Sequence, residues 1–484
     1  MIRNLILSFL MLVGLHSAVY SSGKDGLKLQ LKIEGISDTV LYLAHYYGDK
    51  QYVDDTARLG RGGWYTFSAD TLLPGGMYII AGQKKVRYLE LLLDKQQQVT
   101  IETKFENIAG SIKVKGSEDV SLFFSYINYL SARQKEVTAW QKCIERNGKD
   151  SDSALWCKKQ IAGTDSVVRA YISGFVAGNK GLLVAAFVGA QSEPRIPEAP
   201  KLANGAVDSL FAFRYYKNHF FDSFDLGDDR LIRTPVYHQK LNLYFTKLVL
   251  QSPDSIESEV ERLLPLVKKG RDTYRYFVWY LTNYVERSEI MGMDAAFVYM
   301  VDQFYASGEM DFWINKQVRE NVIKKANKLR PILIGKTAPE LIMQDTSLRL
   351  QSMHSMKNRY TLLFFWDPEC GHCKKEVPKI RDMVARMKEK YDIGVYAVCT
   401  DTNMREMKKY VKKNDMNFVN VNGPRALTPF FKDLYDIYST PVIYLLDDKK
   451  TILAKRLLSD QLEGFIERHT KNEKHGLLEM DKEN

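Results

Sequence analysis

The chain has 484 residues, 45% of them hydrophobic and 26% charged, a balance that fits an ordinary globular protein of two to four domains with ample material for buried cores. Its formal net charge of +10 is spread over helical patterns, as at Lys408-Lys409 and Lys412-Lys413, and reads as solvated helix faces. Zinc-finger spacing, a Gly-rich phosphate loop and a basic arm with interleaved aromatics are all missing from the sequence, which argues against a nucleic-acid partner.

The N-terminus has the anatomy of a secretory signal peptide. Arg3 supplies a positive charge, Leu5 to Leu15 is an apolar run broken only by Ser8 and Gly14, and small residues follow at Ser17, Ala18, Ser21 and Ser22. The run is too short to span a bilayer, which takes about 20 residues. No Cys lies near the expected cleavage point, so a bacterial lipid anchor is not expected. The mature protein is expected to be exported, without a transmembrane segment, into a compartment that permits disulfides among Cys143, Cys157, Cys370, Cys373 and Cys399.

Residues 23–117 read as β. Leu27 to Ile33 alternates apolar and polar side chains at period two. Further short runs at Val40–Ala44, Trp64–Phe67, Met77–Ala81, Tyr88–Leu93 and Val99–Thr103 are separated by turn signals such as Pro74-Gly75-Gly76, which predicts a small antiparallel sandwich or barrel. From Ser121 the period becomes helical. Ser121–Arg146 and Ser153–Val176 form a predicted hairpin, with Cys143 just before its turn and Cys157 just after; a disulfide between them is expected.

More helices follow the three-proline loop Pro194–Pro200. Asp254 and Glu257 have capping-box spacing ahead of Val260 and Leu263, with Gly270 as the closing residue. Tyr215, Tyr216, Phe220, Phe221, Phe277, Trp279 and Tyr280 read as helix–helix core rather than a peptide groove. Leu329-Arg330-Pro331 marks a linker.

After residue 335 the predicted order is strand, helix, strand, helix, strand, strand, helix. Tyr360–Trp366 is an unbroken apolar run, as expected for a strand buried on both faces. Val377, Ile380, Val384 and Met387 give the next helix its apolar stripe. Between them stands Cys370-Gly371-His372-Cys373. Two intervening residues at a helix start let the sulfurs reach bonding distance. The helix N-terminus stabilises a thiolate on Cys370, which makes it the nucleophile, and Cys373 resolves the mixed disulfide. His372 adds positive charge beside the thiolate, which favours the reduced form. Zinc would need about four ligands, haem attachment would need His where Lys374 stands, and Cys399 reads as an inert core thiol. No metal and no cofactor beyond a Cys370–Cys373 redox disulfide is expected.

The segment Trp366-Asp367-Pro368-Glu369-Cys370-Gly371-His372-Cys373-Lys374-Lys375-Glu376-Val377-Pro378 resembles the active-site segment of the TlpA/ResA-like thioredoxins. Gly335 to Leu341 resembles that family's domain opening, and the Cys-Gly-His-Cys tetrad matches protein disulfide isomerases. The likeness covers about 333 to 468. It implies that Thr440-Pro441 is the cis-proline position, with Thr440 backbone pairing to a substrate peptide and Pro441 beside the disulfide. It further implies that Pro378 kinks the active-site helix, that Trp366, Gly371 and His372 tune the site, and that Glu376 is a general base for Cys373. Thioredoxins proper carry a buried Asp where this chain has Phe364, which removes their usual proton acceptor. A single-Cys peroxidase fits less well, since Asp367 replaces the peroxidase-type Thr.

More weakly, the upstream regions resemble uncharacterised β-rich and helical modules that accompany such thioredoxins in Gram-negative envelope proteins. The expectation is a multidomain chain: signal peptide 1–22, β-sandwich-like domain 23–117, all-α domain 118–331, α/β thioredoxin-like domain 332–470 and charged tail 471–484. Its expected function is periplasmic thiol–disulfide exchange with protein thiols and disulfides, recharged by an upstream electron donor or acceptor. The rival expectation is an envelope binding or scaffold protein in which the redox site is secondary.

Overall fold

The computed structural model describes residues 26–201 and 205–480; the expected signal peptide and the end of the expected tail lie outside them. The described residues divide into two units, one ending at Gln239 and the other starting at Lys240, with Leu226–Asp228 belonging to the second. The helical domain expected over 118–331 is therefore split between them.

In the first unit, eight strands follow in order: β1 (Leu27–Glu34), β2 (Val40–Tyr47), β3 (Lys50–Arg58), β4 (Tyr65–Ala69), β5 (Gly76–Gly82), β6 (Arg87–Leu93), β7 (Gln98–Lys104) and β8 (Lys113–Lys115). They form two four-stranded sheets, β4-β1-β7-β8 and β3-β2-β5-β6. Period two does what it should: Leu27, Leu29, Leu31 and Ile33 are buried. The sheets are not wholly antiparallel, because β1 pairs with β7 in parallel. A parallel neighbour needs a long crossover, and the intervening strands supply it.

The helices Glu118–Asn147 and Asp152–Gly178 form the hairpin. Ser117 and Ser151 cap them, accepting from the Val120 and Ala154 backbone N–H groups at 3.3 and 3.1 Å. The first helix is tied to Leu183–Ala190 by buried Asp119, which accepts from Val184 N–H at 2.8 Å. Cys143 and Cys157 are bonded across the hairpin, their Cα atoms 6.6 Å apart.

The second unit opens with helices Pro253–Val267, Arg271–Glu286, Asp294–Met300 and Lys316–Leu329. Phe277 and Tyr280 are buried core here. The start of the first differs from the expectation. Ser252 is the cap, accepting from Ser255 N–H, because Pro253 at the first helical position lacks a donor and fixes the entry two residues earlier. Gly270 begins the next helix rather than closing this one.

A seven-stranded sheet follows, built from β9 (Ile342–Asp345), β10 (Leu350–Ser352), β11 (Tyr360–Trp366), β12 (Ile393–Cys399), β13 (Val419–Ala426), β14 (Val442–Leu446) and β15 (Ile452–Lys455), in the order β10-β9-β13-β12-β11-β14-β15. All seven residues of β11 are buried. Leu362 and Phe364 face the helices Gly371–Tyr391 and Ser459–Met480, meeting Val377, Ile380, Leu462 and Ile466. On the other face Phe365 stacks on Phe431 and packs against Tyr435 and Tyr444. The last helix runs past residue 470, where the domain was expected to end. Lys455 of β15 is buried and donates to the Asp294 carboxylate and, at 2.7 Å, to the Ile332 carbonyl. A buried ammonium requires such partners.

The disulfide bridges a separation of 14 residues, so its loss should destabilise the first unit by about 3 kcal/mol. Cys143→Ala/Cys157→Ala should lower that unit's melting temperature, and peptide mapping without reductant should recover the two cysteines linked. Free thiols at both would remove the bond.

Candidate active site

Cys370 is the cap residue of the Gly371–Tyr391 helix. β11 ends at Trp366, and a tight turn leads to the helix. Cys370 N–H donates to the Asp367 carbonyl at 3.2 Å, and Glu369 N–H to the Asp367 carboxylate at 2.9 Å. Thr400, at the end of β12, donates to the other Asp367 oxygen at 3.2 Å. The helix therefore starts where two central strands end, with its unpaired N–H groups around the Cys370 sulfur.

The third wall comes from the far end of the chain. The Thr440–Pro441 peptide is cis and leads into β14, the antiparallel neighbour of β11. That pairing brings the Thr440 carbonyl to 3.2 Å from Cys370 Sγ, which donates to it.

The two sulfurs differ in environment. Partial burial alone would raise the Cys370 thiol. Hydrogen bonds with the Thr440 side chain, from the Cys373 and His372 backbone N–H groups and from the Cys373 thiol outweigh it and hold Cys370 below its ordinary value. Cys373 is fully buried, and burial pushes it up to about 12. One sulfur gives up its proton more readily, and the other is the protonated reserve. Cys399 is also fully buried, opposite Trp366 in the β11–β12 register, and is likewise pushed up to about 12.

The tuning residues separate. His372 is exposed, and its backbone N–H rather than its ring is what bonds the sulfur. Gly371 has open space where a Cβ would project. Trp366 is fully buried, with its ring 5.1 Å from Tyr410 and its indole N–H unpaired; it shapes the core under the site.

Glu376 lies one turn beyond Cys373 and is buried, but its carboxylate is engaged elsewhere. One oxygen accepts from Ser459 N–H at 3.1 Å and Ser459 Oγ at 2.7 Å; the other accepts from Lys379 at 3.1 Å. Burial opposes its charge, yet these bonds win and hold it below the usual carboxylate range. A carboxylate so stabilised is a poor acceptor for a thiol proton near 12. Its visible work is to cap the last helix, which begins at Ser459. Sequence reading gives no sign of this pairing between residues 83 positions apart. Asp367 and Thr400 were likewise missed as braces of the turn.

Among the described residues no group of three or more His, Cys, Asp or Glu is placed to hold a metal ion, and no helix is long and apolar enough to cross a membrane.

Sequence profiles match residues 334–455 to the AhpC/TSA family and 164–327 to a domain of unknown function, DUF5106. A thioredoxin-like protein of Haemophilus influenzae is 31% identical over 126 residues, which cover 26% of this chain and 71% of that protein. The chain belongs to the thioredoxin-like thiol–disulfide oxidoreductases. The oxidoreductase is also 28% identical over 144 residues to the thiol-disulfide oxidoreductase ResA of Bacillus cereus, covering 28% of this chain and 79% of that one. A solved domain of a possible thiol-disulfide isomerase from Cytophaga hutchinsonii is 38% identical, with 30% of this chain and 97% of that one covered and a TM-score of 0.28.

Removing the Ser459 hydroxyl deletes a charge-assisted bond, so Ser459→Ala should cost about 1.5–3 kcal/mol at neutral pH. The folded value of Glu376 lies below its unfolded one. Its contribution is therefore complete above the ordinary carboxylate range and is lost as pH falls through the folded value. Denaturant curves of variant and wild type should differ at pH 7 and converge in acid; coincident curves at pH 7 would dismiss the capping role.

Proposed function

We propose that this oxidoreductase exchanges disulfides with protein substrates through Cys370-Gly371-His372-Cys373, and that it does so in the periplasm after export. The observation that carries the reading is the paired environment of the sulfurs. Cys370 lies at a helix N-terminus, 3.2 Å from the Thr440 carbonyl, and Cys373 lies buried behind it. The Cys370 thiolate attacks a substrate disulfide, forms a mixed disulfide and expels the substrate's other sulfur as thiolate. Cys373 then loses its proton and attacks Cys370, releasing the substrate thiol and leaving the Cys370–Cys373 disulfide. A second redox partner in the envelope resets that disulfide. The substrate peptide lies along Thr440-Pro441, where an extended backbone finds strand-like partners. Export is supported by the run Leu5–Leu15 and the small residues after it.

Cys373→Ala in the full chain should accumulate mixed disulfides through Cys370, visible as reductant-sensitive adducts; adducts that persist in Cys370→Ala would reverse the roles. The contribution of His372 divides in two. His372→Ala removes the ring and keeps the backbone donor, whereas His372→Pro removes both. The reduction potential should become more negative in each case, with the Pro variant lower by roughly a further 30 mV, the equivalent of ~1.4 kcal/mol. Equal potentials for the two variants would exclude the backbone bond as a determinant.

A further inference from the structure

The cis-Pro441 loop borders a cavity of about 270 Å³, lined by residues including Asp436, Tyr438, Pro441, Arg456, Leu457 and Leu458. That is room for one side chain, short of the roughly 300–1,000 Å³ of small-molecule sites. It adjoins the reacting sulfur. Pro441 lines it, and the preceding Thr440 carbonyl is the acceptor 3.2 Å from Cys370 Sγ.

The charged groups of its lining, Asp436 and Arg456, are one of each sign, and a further cation reaches Asp436 from outside the lining. The Asp436 carboxylate, only 9% exposed, is approached by Arg456 Nη2 at 2.7 Å and by Lys328 Nζ at 3.8 Å. The neighbouring pair, Lys455 with Asp294, is matched one to one. Two carboxylates thus face three cations. A buried carboxylate needs a cationic partner, and Lys328 supplies one. Lys328 also donates to the Tyr438 hydroxyl at 3.3 Å, and its ammonium lies 4.5 Å from the centre of that ring, which braces the aromatic wall. Arg456 is left with capacity. Its side chain is 59% exposed and gives only Nη2 to Asp436. Its remaining N–H groups have no partner among the described residues. A guanidinium fork in that state suits a second carboxylate.

We propose that this cavity is a subsite for an acidic side chain next to the reactive cysteine of a polypeptide substrate, with Arg456 as the specificity-determining residue. The proposal rests on Cys370 being the attacking thiol. Leu457 and Leu458 cover the aliphatic stem of a glutamate while Arg456 takes its carboxylate. The surplus charge then disappears on binding.

The test uses the full chain carrying Cys373→Ser and short peptides whose single Cys is disulfide-bonded to 5-thio-2-nitrobenzoate. Cys370 attacks the peptide sulfur, the new Cys370–peptide disulfide replaces the old one, and the aromatic thiolate leaves and is read by its absorbance. Peptides carry Glu, Gln or Lys at each of the two positions on either side of Cys. At one position Glu should react about fivefold faster than Gln, and Lys slower than both. Arg456→Gln should bring the Glu-to-Gln ratio to within about twofold, while Arg456→Lys retains a preference for Glu. The proposal is overturned if Glu and Gln agree within about twofold at every position, or if the preference survives Arg456→Gln and so belongs to the general positive field. If no peptide reacts at all, the exchange reading of Cys370 falls with it.

Discussion

Cys370 and Cys373 belong to one turn of chain yet sit on opposite sides of a boundary, where the end of a helix meets the core of a sheet. On one side, backbone N–H groups at the helix start surround a sulfur that water can reach. On the other, a sulfur is enclosed by apolar side chains. A thiolate that is stable but reachable, next to a thiol that is stable because it is hidden, gives the pair a direction of attack. The domain maintains that boundary. β11 delivers the turn, Asp367 and Thr400 hold it, and the β11–β14 pairing positions the cis-Pro loop over it.

The departure at Phe364 fits this arrangement. A buried carboxylate there would have stood beside Cys373 within the same core. The phenylalanine makes the environment of Cys373 drier and its thiol harder to ionise. Glu376, the nearest alternative on the helix, is held by Ser459 and Lys379. The reserve thiol is therefore protected on both flanks, and the proton it loses on resolution has no buried carboxylate waiting for it.

What could be read from the sequence was whatever depends on neighbours in the chain. Tyr360–Trp366 announced a doubly buried strand by composition, the helix after it by period, and the motif by spacing. β13 was not legible, because Val-Asn-Val-Asn-Gly-Pro looks like a loop. Its two asparagines are buried and work as struts, Asn420 donating to the Met416 and Phe418 carbonyls and Asn422 to that of Asp401. β10, at the sheet edge, is too short to show a period. The parallel β1–β7 pairing and the Glu376–Ser459 contact join residues far apart, so no window on the sequence could contain them. The helices of 118–331 read alike by pattern. Their division was invisible because it depends on which surfaces they cover.

Lys455 bears on how separable the α/β domain is. Its ammonium is enclosed, and both partners, Asp294 and the Ile332 carbonyl, come from chain that precedes the domain. A fragment beginning at residue 333 would expose that charge to water and strip a binding surface from its own edge strand. Separated from the helices, the same lysine turns from a buried tie into an ordinary solvated side chain.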